Sequence, residues 1–174
     1  MNITGGKYNG QKIIAPDENI TRPTLSKIRM SVFNTLYSMI NFEGASFLDM
    51  YAGSGIMGLE ALSRGFGETV EIEKNKKIFE TIKSNYKKYE KECTFKLINS
   101  DSIKTCSNMD KIFDVVYIDP PYFNQIYEQS LAAVKDIAKI IIIEHVTNVD
   151  LGGFDVIKQK KYSDKYITFL KYNN

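Results

Sequence analysis

Five short apolar runs recur along the chain, each pair separated by enough residues for a helix, and no other feature constrains the fold as tightly. The runs "SFLDM" (46–50), "ETVEI" (68–72), "TFKLI" (94–98), "DVVYI" (114–118) and "KIIIIE" (139–144) have the length and composition of buried strands. Between them, Ile56, Leu59 and Leu62 mark one helix. Ile78, Phe79, Ile82, Tyr86 and Tyr89 mark a second, with lysines on its opposite face, and Ile126, Leu131, Val134 and Ile137 mark a third over 126–138. Strands that alternate with helices need crossover connections, so the expected fold is α/β, a doubly wound, mostly parallel sheet with helices on both faces. The rhythm stops after Gly152-Gly153. There "FDVIKQKKYS" and "KYITFLKY" meet at a Ser163-Asp164 turn, which reads as a closing hairpin that brings an antiparallel strand into the sheet.

A different preface precedes the first strand. "NITGGKYNGQKIIAP" alternates around glycines and reads as a small β-hairpin. "RPTLSKIRMSVFNTLYSMI" then sets Pro23 in a first-turn position with Thr24 as the cap. Leu25, Ile28, Val32, Leu36 and Met39 follow at spacings of three and four, giving one inward face. No stretch rich in Gly, Ser or Pro separates a second unit. The expected organisation is one domain over 1–174, made of a hairpin extension (1–23), a leading helix (24–40) and a core (44–174). A chain of 174 residues buries about 70% of its unfolded surface without staples.

Composition excludes more than it identifies. Apolar runs such as Ile140–Ile143 are far too short to span a bilayer, and "MNITGGKYNG" lacks a basic region leading into an apolar core. A cytoplasmic protein is expected. Cys93 and Cys106 suggest neither a disulfide framework nor a metal knuckle, and free thiols are expected. A net charge of +2 permits a nucleic-acid partner without identifying one.

The first chemical motif is "FLDMYAGSGIMGLEAL", residues 47–62. A strand ends in Asp49, and Gly53-Ser54-Gly55 turns directly into a helix. Such glycines let the backbone bend tightly and approach a ligand, while the helix start offers unpaired N–H groups. Gly53, Gly55 and Gly58 match G-x-G-x-x-G, and Glu73, at the end of the second strand, can accept from both hydroxyls of a ribose. An adenosine-containing cofactor fits, whether NAD, FAD or S-adenosylmethionine; the plainer alternative is a turn needed for helix–strand packing. Asp101, just past the third strand, can accept from an adenine amino group with Ser102 beside it, or can simply cap a helix. Asp49, Glu73, Asp101 and Asp119 share one row of strand ends, where open α/β sheets bind ligands.

The fourth strand runs into "DPPY", Asp119 to Tyr122. Asp119 and Pro120 each precede a proline and are pushed toward extended geometry, while Pro120 and Pro121 carry no N–H. A rigid turn is the plain alternative. The chemical reading is a stiff loop offering a carboxylate and the Pro120 carbonyl, two acceptors suited to an –NH₂ group. An exocyclic amine on a nucleobase is a poor nucleophile, because its lone pair is delocalised into the ring. Holding both N–H bonds favours pyramidal geometry and frees that lone pair, and Tyr122 offers a face for a base to stack on, worth about 1–3 kcal/mol. The methyl of S-adenosylmethionine is the fitting electrophile, so direct transfer by positioning is expected, without a metal.

Together, "LDMYAGSGIMGLEALSRG", "VEIEKN", "NSD" and "DVVYIDPPY" resemble the class I S-adenosylmethionine-dependent methyltransferases that act on exocyclic amines. The preface "ITGGKYNGQKI", "TRPTLSKIRMSVFNTL" and the tail "YSDKYITFLKY" narrow the resemblance to the RsmD family, methyltransferases for guanine N2 of small-subunit (16S) ribosomal RNA. This resemblance implies a Rossmann-like, seven-stranded sheet with the N-terminal hairpin attached. It implies that Asp49, Tyr51, Gly53, Ser54, Gly55, Glu73, Asp101 and Ser102 line the cofactor site, and that Asp119, Pro120 and Tyr122 hold the target base. Two positions depart from the family pattern: Met30 stands where an acid is usual, and Tyr51 where a Phe is usual.

The expected partner is small-subunit ribosomal RNA or an assembly intermediate, engaged by a monomer. Arg22, Thr24 and Arg29 are candidates for the substrate RNA, and Lys7, Lys12, Lys27, Lys158, Lys160 and Lys161 could follow its backbone. A guanine inside a duplex hides its amine, so the target lies in a loop or is flipped out. Glu144 and His145 read as structural. Three other readings compete. A DNA adenine-N6 methyltransferase shares the proline motif but usually carries a recognition domain. An NAD-dependent oxidoreductase leaves "DPPY" unexplained, and a non-catalytic ribosome-binding protein would tolerate loss of Asp119.

Overall fold

A computed structural model describes residues 1–15, 24–121, 126–146 and 149–173. Its elements run α1 (Ser26–Tyr37), β1 (Ser46–Asp49), α2 (Ile56–Ser63), β2 (Glu68–Ile72), α3 (Lys76–Tyr86), β3 (Thr94–Ile98), α4 (Ser102–Cys106), β4 (Phe113–Ile118), α5 (Ile126–Val134), β5 (Ala138–His145), β6 (Phe154–Tyr162) and β7 (Lys165–Tyr172). One seven-stranded sheet takes the order β3-β2-β1-β4-β5-β7-β6. The first five strands pair in parallel, and β7 is antiparallel to both β5 and β6. This is the doubly wound α/β sheet with a closing hairpin that the strand rhythm implied, and the seven-stranded, Rossmann-like sheet that the resemblance implied. Ser163 takes a positive φ of 55° in the hairpin turn.

Parallel strands buried on both faces are mostly apolar; all four residues of β1 are buried, polar Ser46 and Asp49 included, as are Ile140 to Ile143 of β5. Alternation sorts them into two layers. Phe47, Val115, Tyr117, Ile142 and Phe169 pack with Phe33 of α1, Leu59 of α2 and Ile82 of α3. Leu48, Val116, Ile118, Ile141 and Ile143 pack on the other face with Cys106 of α4 and Leu131 of α5.

The N-terminal hairpin is held by an Asn2–Lys12 bridge, with the Ile3 N–H donating to the Gln11 carbonyl at 3.0 Å. It lies against the end of α2, where the Lys7 N–H donates to the Ser63 carbonyl at 2.6 Å and the Tyr8 N–H to Ser63 Oγ at 2.9 Å. Gly6 (φ 77°) is required there, because a Cβ would overlap the Ser63 carbonyl. Two expected boundaries move. α1 starts at Ser26 with Leu25 at its N-cap and no side-chain capping bond, so Thr24 is not the cap. α5 ends at Val134, short of the expected 138, because the chain must turn before β5 begins at Ala138. Pro23, and the hairpin's expected span beyond residue 15, lie outside the described residues.

Candidate functional site

Strand register decides what the strand ends can do together. Asp49 pairs with Glu71 of β2 and with Tyr117 of β4. Ile118 pairs with Ile143, which brings Asp119 level with Glu144, and Glu144 pairs with Ile167 of β7. Because side chains alternate along a strand, Glu71, Asp49, Tyr117, Glu144 and Ile167 share the face covered by α1–α3, and Glu73, Asp119 and Lys165 continue their rows. Four neighbouring strands thus direct acids to the same side of the sheet at its carboxyl edge.

The glycine loop closes over the first of them. Gly53 and Gly55 have φ of 54° and 75°, a region that L side chains rarely adopt. Glu73 accepts from the Gly53 N–H at 3.1 Å and from the Asn75 N–H at 2.7 Å, which ties the end of β2 to the loop. Asp49 is buried and accepts from the Tyr51 N–H at 3.1 Å. Burial, with Glu73 and Glu144 nearby, pushes its pKa up to about 7, and burial also raises Glu73. Gly55 and Gly58 serve packing: a Cβ on Gly55 would sit 2.7 Å from the Tyr86 ring, and one on Gly58 would overlap the Glu71 carboxyl.

The remaining loop residues are anchored. Tyr51 meets Ser130 of α5 through their hydroxyls at 2.7 Å, and Ser54 is buried with its carbonyl accepting from Asn85 Nδ2 at 2.9 Å. Ser102 donates to the Met50 carbonyl, fixing α4 to the end of β1. Asp101 caps α4, accepting from the Lys104 N–H at 3.1 Å, and its other oxygen meets exposed Lys74 at 3.1 Å. Its capping role and its place in the strand-end row therefore coexist.

Asp119 follows β4 directly, is half-buried, and precedes buried Pro120. Burial raises its pKa well above the usual carboxylate range, and Glu144 and Asp49 push the same way. Lys165 and a hydrogen bond from Thr24 oppose them. Thr24, expected to meet RNA, thus stands beside Asp119. Arg22 and Tyr122 lie outside the described residues. Arg29 is buried, donating to Glu60 Oε1 at 2.9 Å, to the Asn2 carbonyl at 2.8 Å and to the Thr24 carbonyl. Its donors face inward, so an RNA-contacting role for Arg29 is replaced by a tether between α1, α2 and the hairpin. Lys160 likewise turns inward, to Ser31 Oγ at 3.0 Å and Thr35 Oγ1 at 2.7 Å on α1.

From sequence alone Glu144 reads as structural, and neither of its partners, Tyr117 and Lys165, is singled out. Tyr117 donates its hydroxyl to Glu144 Oε1, and Lys165 Nζ donates to Glu144 Oε2 at 3.0 Å. His145, one residue on, faces the other side, bonding Thr168 Oγ1 at 2.9 Å and stacking on Tyr166. The available signal was an apolar run ending in an acid, "IIIIE", the same pattern that marks Asp119. Among the described residues no group of His, Cys, Asp and Glu is arranged to hold a metal ion, and no helix is long and apolar enough to cross a membrane.

A family model described as "Conserved hypothetical protein 95" matches residues 1–171. The Ribosomal RNA small subunit methyltransferase D of Buchnera aphidicola (subspecies Acyrthosiphon pisum) is 31% identical over 167 residues, covering 91% of this chain and 78% of that protein. YlbH of Bacillus subtilis, provisionally named an rRNA methyltransferase, is 30% identical over 159 residues, 87% of this chain and 85% of its own. The solved yhhF chain of Escherichia coli, provisionally named a methyltransferase, superposes with a TM-score of 0.87 at 22% identity, covering 99% of this chain and 98% of that one. The chain therefore belongs to the family described as conserved hypothetical protein 95, the RsmD family of the class I methyltransferase fold.

Proposed function

We propose that this protein methylates the exocyclic N2 amine of a guanine in small-subunit ribosomal RNA, with S-adenosylmethionine as methyl donor. The observation that carries the reading is the position of Asp119: a half-buried acid immediately after β4, followed by two prolines, on the sheet face that also carries Asp49 and Glu73. The names of the relatives supply the RNA class.

The acceptors along the strand ends fit the proposed donor. Asp49 and Glu73 offer carboxyls beside a left-handed glycine turn, suited to hydroxyls and to a cationic centre, and Asp101 offers a further acceptor. Tyr51, Ser54 and Ser102 hold the surrounding backbone. When bound, S-adenosylmethionine supplies an electrophilic methyl on sulfur. The chain's own residues do the rest by positioning. Asp119 and the Pro120 carbonyl accept the two N–H bonds of the target amine. The nitrogen is thereby pyramidalised, and the bond to Asp119 strengthens as positive charge builds on it. Tyr122 stacks on the base, and Arg22 remains the candidate for phosphate. The catalytic unit is the whole of 1–174, acting as a monomer in the cytoplasm.

Small ribosomal subunits that lack the modification, incubated with the protein and methyl-labelled S-adenosylmethionine and then digested to nucleosides, test the proposal. The expected label is in N2-methylguanosine. Label in another nucleoside, or in DNA adenine, contradicts it.

A further inference from the structure

The geometry points to Lys165, clamped by Glu144, as the positioning residue that keeps the Asp119 carboxylate in its hydrogen-bond-accepting form. The inference rests on the proposed role of Asp119 and assigns that site a supporting cation. Three strands bring the groups together. β5 is the neighbour of β4, and its register sets Glu144 beside Asp119. β7 is the neighbour of β5, and its first residue is Lys165. Lys165 keeps 17% of its side-chain surface, and Glu144 keeps none.

Burial and the neighbouring acids disfavour the ionised form of Asp119, and Lys165 opposes them. Asp49 faces Asp119 from β1, Tyr117 from β4, Glu144 from β5 and Lys165 from β7, while Thr24 approaches from the segment before α1. Asp49 and Glu144 are acidic, and burial opposes ionisation further. A carboxyl in that setting tends to hold its proton, and a protonated Asp119 would donate to an amine rather than accept from it. Lys165 is the cation among the leading influences on Asp119, and it favours the ionised form. Its ammonium is fixed at 3.0 Å from Glu144 Oε2, and Tyr117 occupies the other oxygen. Glu144 thus holds the cation in place while itself opposing the ionisation of Asp119, so the two partners act on Asp119 with opposite sign.

That opposition supplies the test. Asp119 is followed by carbon-13 carboxyl NMR in the protein without RNA, and the acid limb of methyl transfer is measured in parallel. In Lys165→Met the Asp119 titration and the acid limb move up by about one pH unit or more. In Glu144→Gln they move down, and cofactor affinity measured by calorimetry stays within about threefold in both. Lys165→Arg restores most of the wild-type profile. Should Lys165→Met fail to fold, Glu144→Gln and the double variant Glu144→Gln/Lys165→Met carry the test, the double lying between the two singles. An Asp119 titration that moves in neither single variant, or activity lost by one factor at every pH, overturns the inference. Methyl transfer that survives Asp119→Ala would instead overturn the proposed function, and the titration without RNA separates the two failures.

Discussion

Glu71 is a buried carboxyl with neither side-chain oxygen in a well-formed hydrogen bond, although Tyr86 and Thr69 stand close enough to favour its charged form weakly. Burial dominates and raises its pKa well above the usual range, with Asp49 adding to the rise. A group whose folded pKa is raised supports the fold fully below its unfolded pKa, near 4.5, and that support is lost as pH rises toward the folded value. Glu71→Gln is therefore expected to gain stability over the wild type across the window between the unfolded and the raised folded value, read from denaturant midpoints. The gain is about 1.4 kcal/mol for each pH unit of that window; a variant that runs parallel to the wild type contradicts it. Asp49 gives a second expectation. With a pKa of about 7 it is partly protonated at neutral pH, and a cationic ligand beside it would drive ionisation. Calorimetry of S-adenosylmethionine binding at pH 7 in buffers of different ionisation enthalpy should show proton release that fades by pH 9. Asp49, Glu73 and Asp119 were legible as strand-end acids. Their shared face, and Glu71 beside them, were not, because that depends on register between strands far apart in the chain.

Elements are joined here by a few buried polar contacts. Glu60 of α2 receives Arg29 from α1, the backbone N–H of Thr4 from the hairpin at 2.9 Å, and Arg64 from the C-cap of its own helix. Its side chain is fully buried, and Arg64 still pairs with it when Arg29 is removed, so the loss is that of one charged hydrogen-bond partner, about 1.5–3 kcal/mol. Arg29→Met should lower stability by that amount and speed amide exchange at Ile3 and Ile13 before the sheet opens. Unchanged exchange at those amides would contradict the tether. Arg29 also shows how a motif is misread. It was a candidate for the substrate RNA, yet a hairpin from the other end of the preface covers it. Hydrophobic periodicity on one helix does not reveal a polar residue buried by another element. Lys160 repeats the lesson on β6, where it clasps Ser31 and Thr35 rather than projecting freely.

At the scale of the molecule, the rhythm of strands and helices led directly to the sheet, because parallel crossovers leave few alternatives. The closing hairpin was legible in the short turn at Ser163-Asp164. What stayed hidden is that this hairpin delivers a cation to Glu144 as well as closure. β7 reaches the site only because it inserts between β5 and β6, which puts Lys165 beside Glu144. A charge at a strand's first residue looks like an ordinary solvated lysine until the strand has a neighbour. The fold thus brings residues of four strands, β1, β4, β5 and β7, to one carboxyl, and the account stands on what that carboxyl does. The direct measurement is single-turnover methyl transfer to unmodified small subunits by Asp119→Ala, with S-adenosylmethionine affinity determined on the same preparation. The expected result is a rate reduced by about 10²–10³-fold with affinity little changed; a variant that transfers methyl at the wild-type rate would contradict the account.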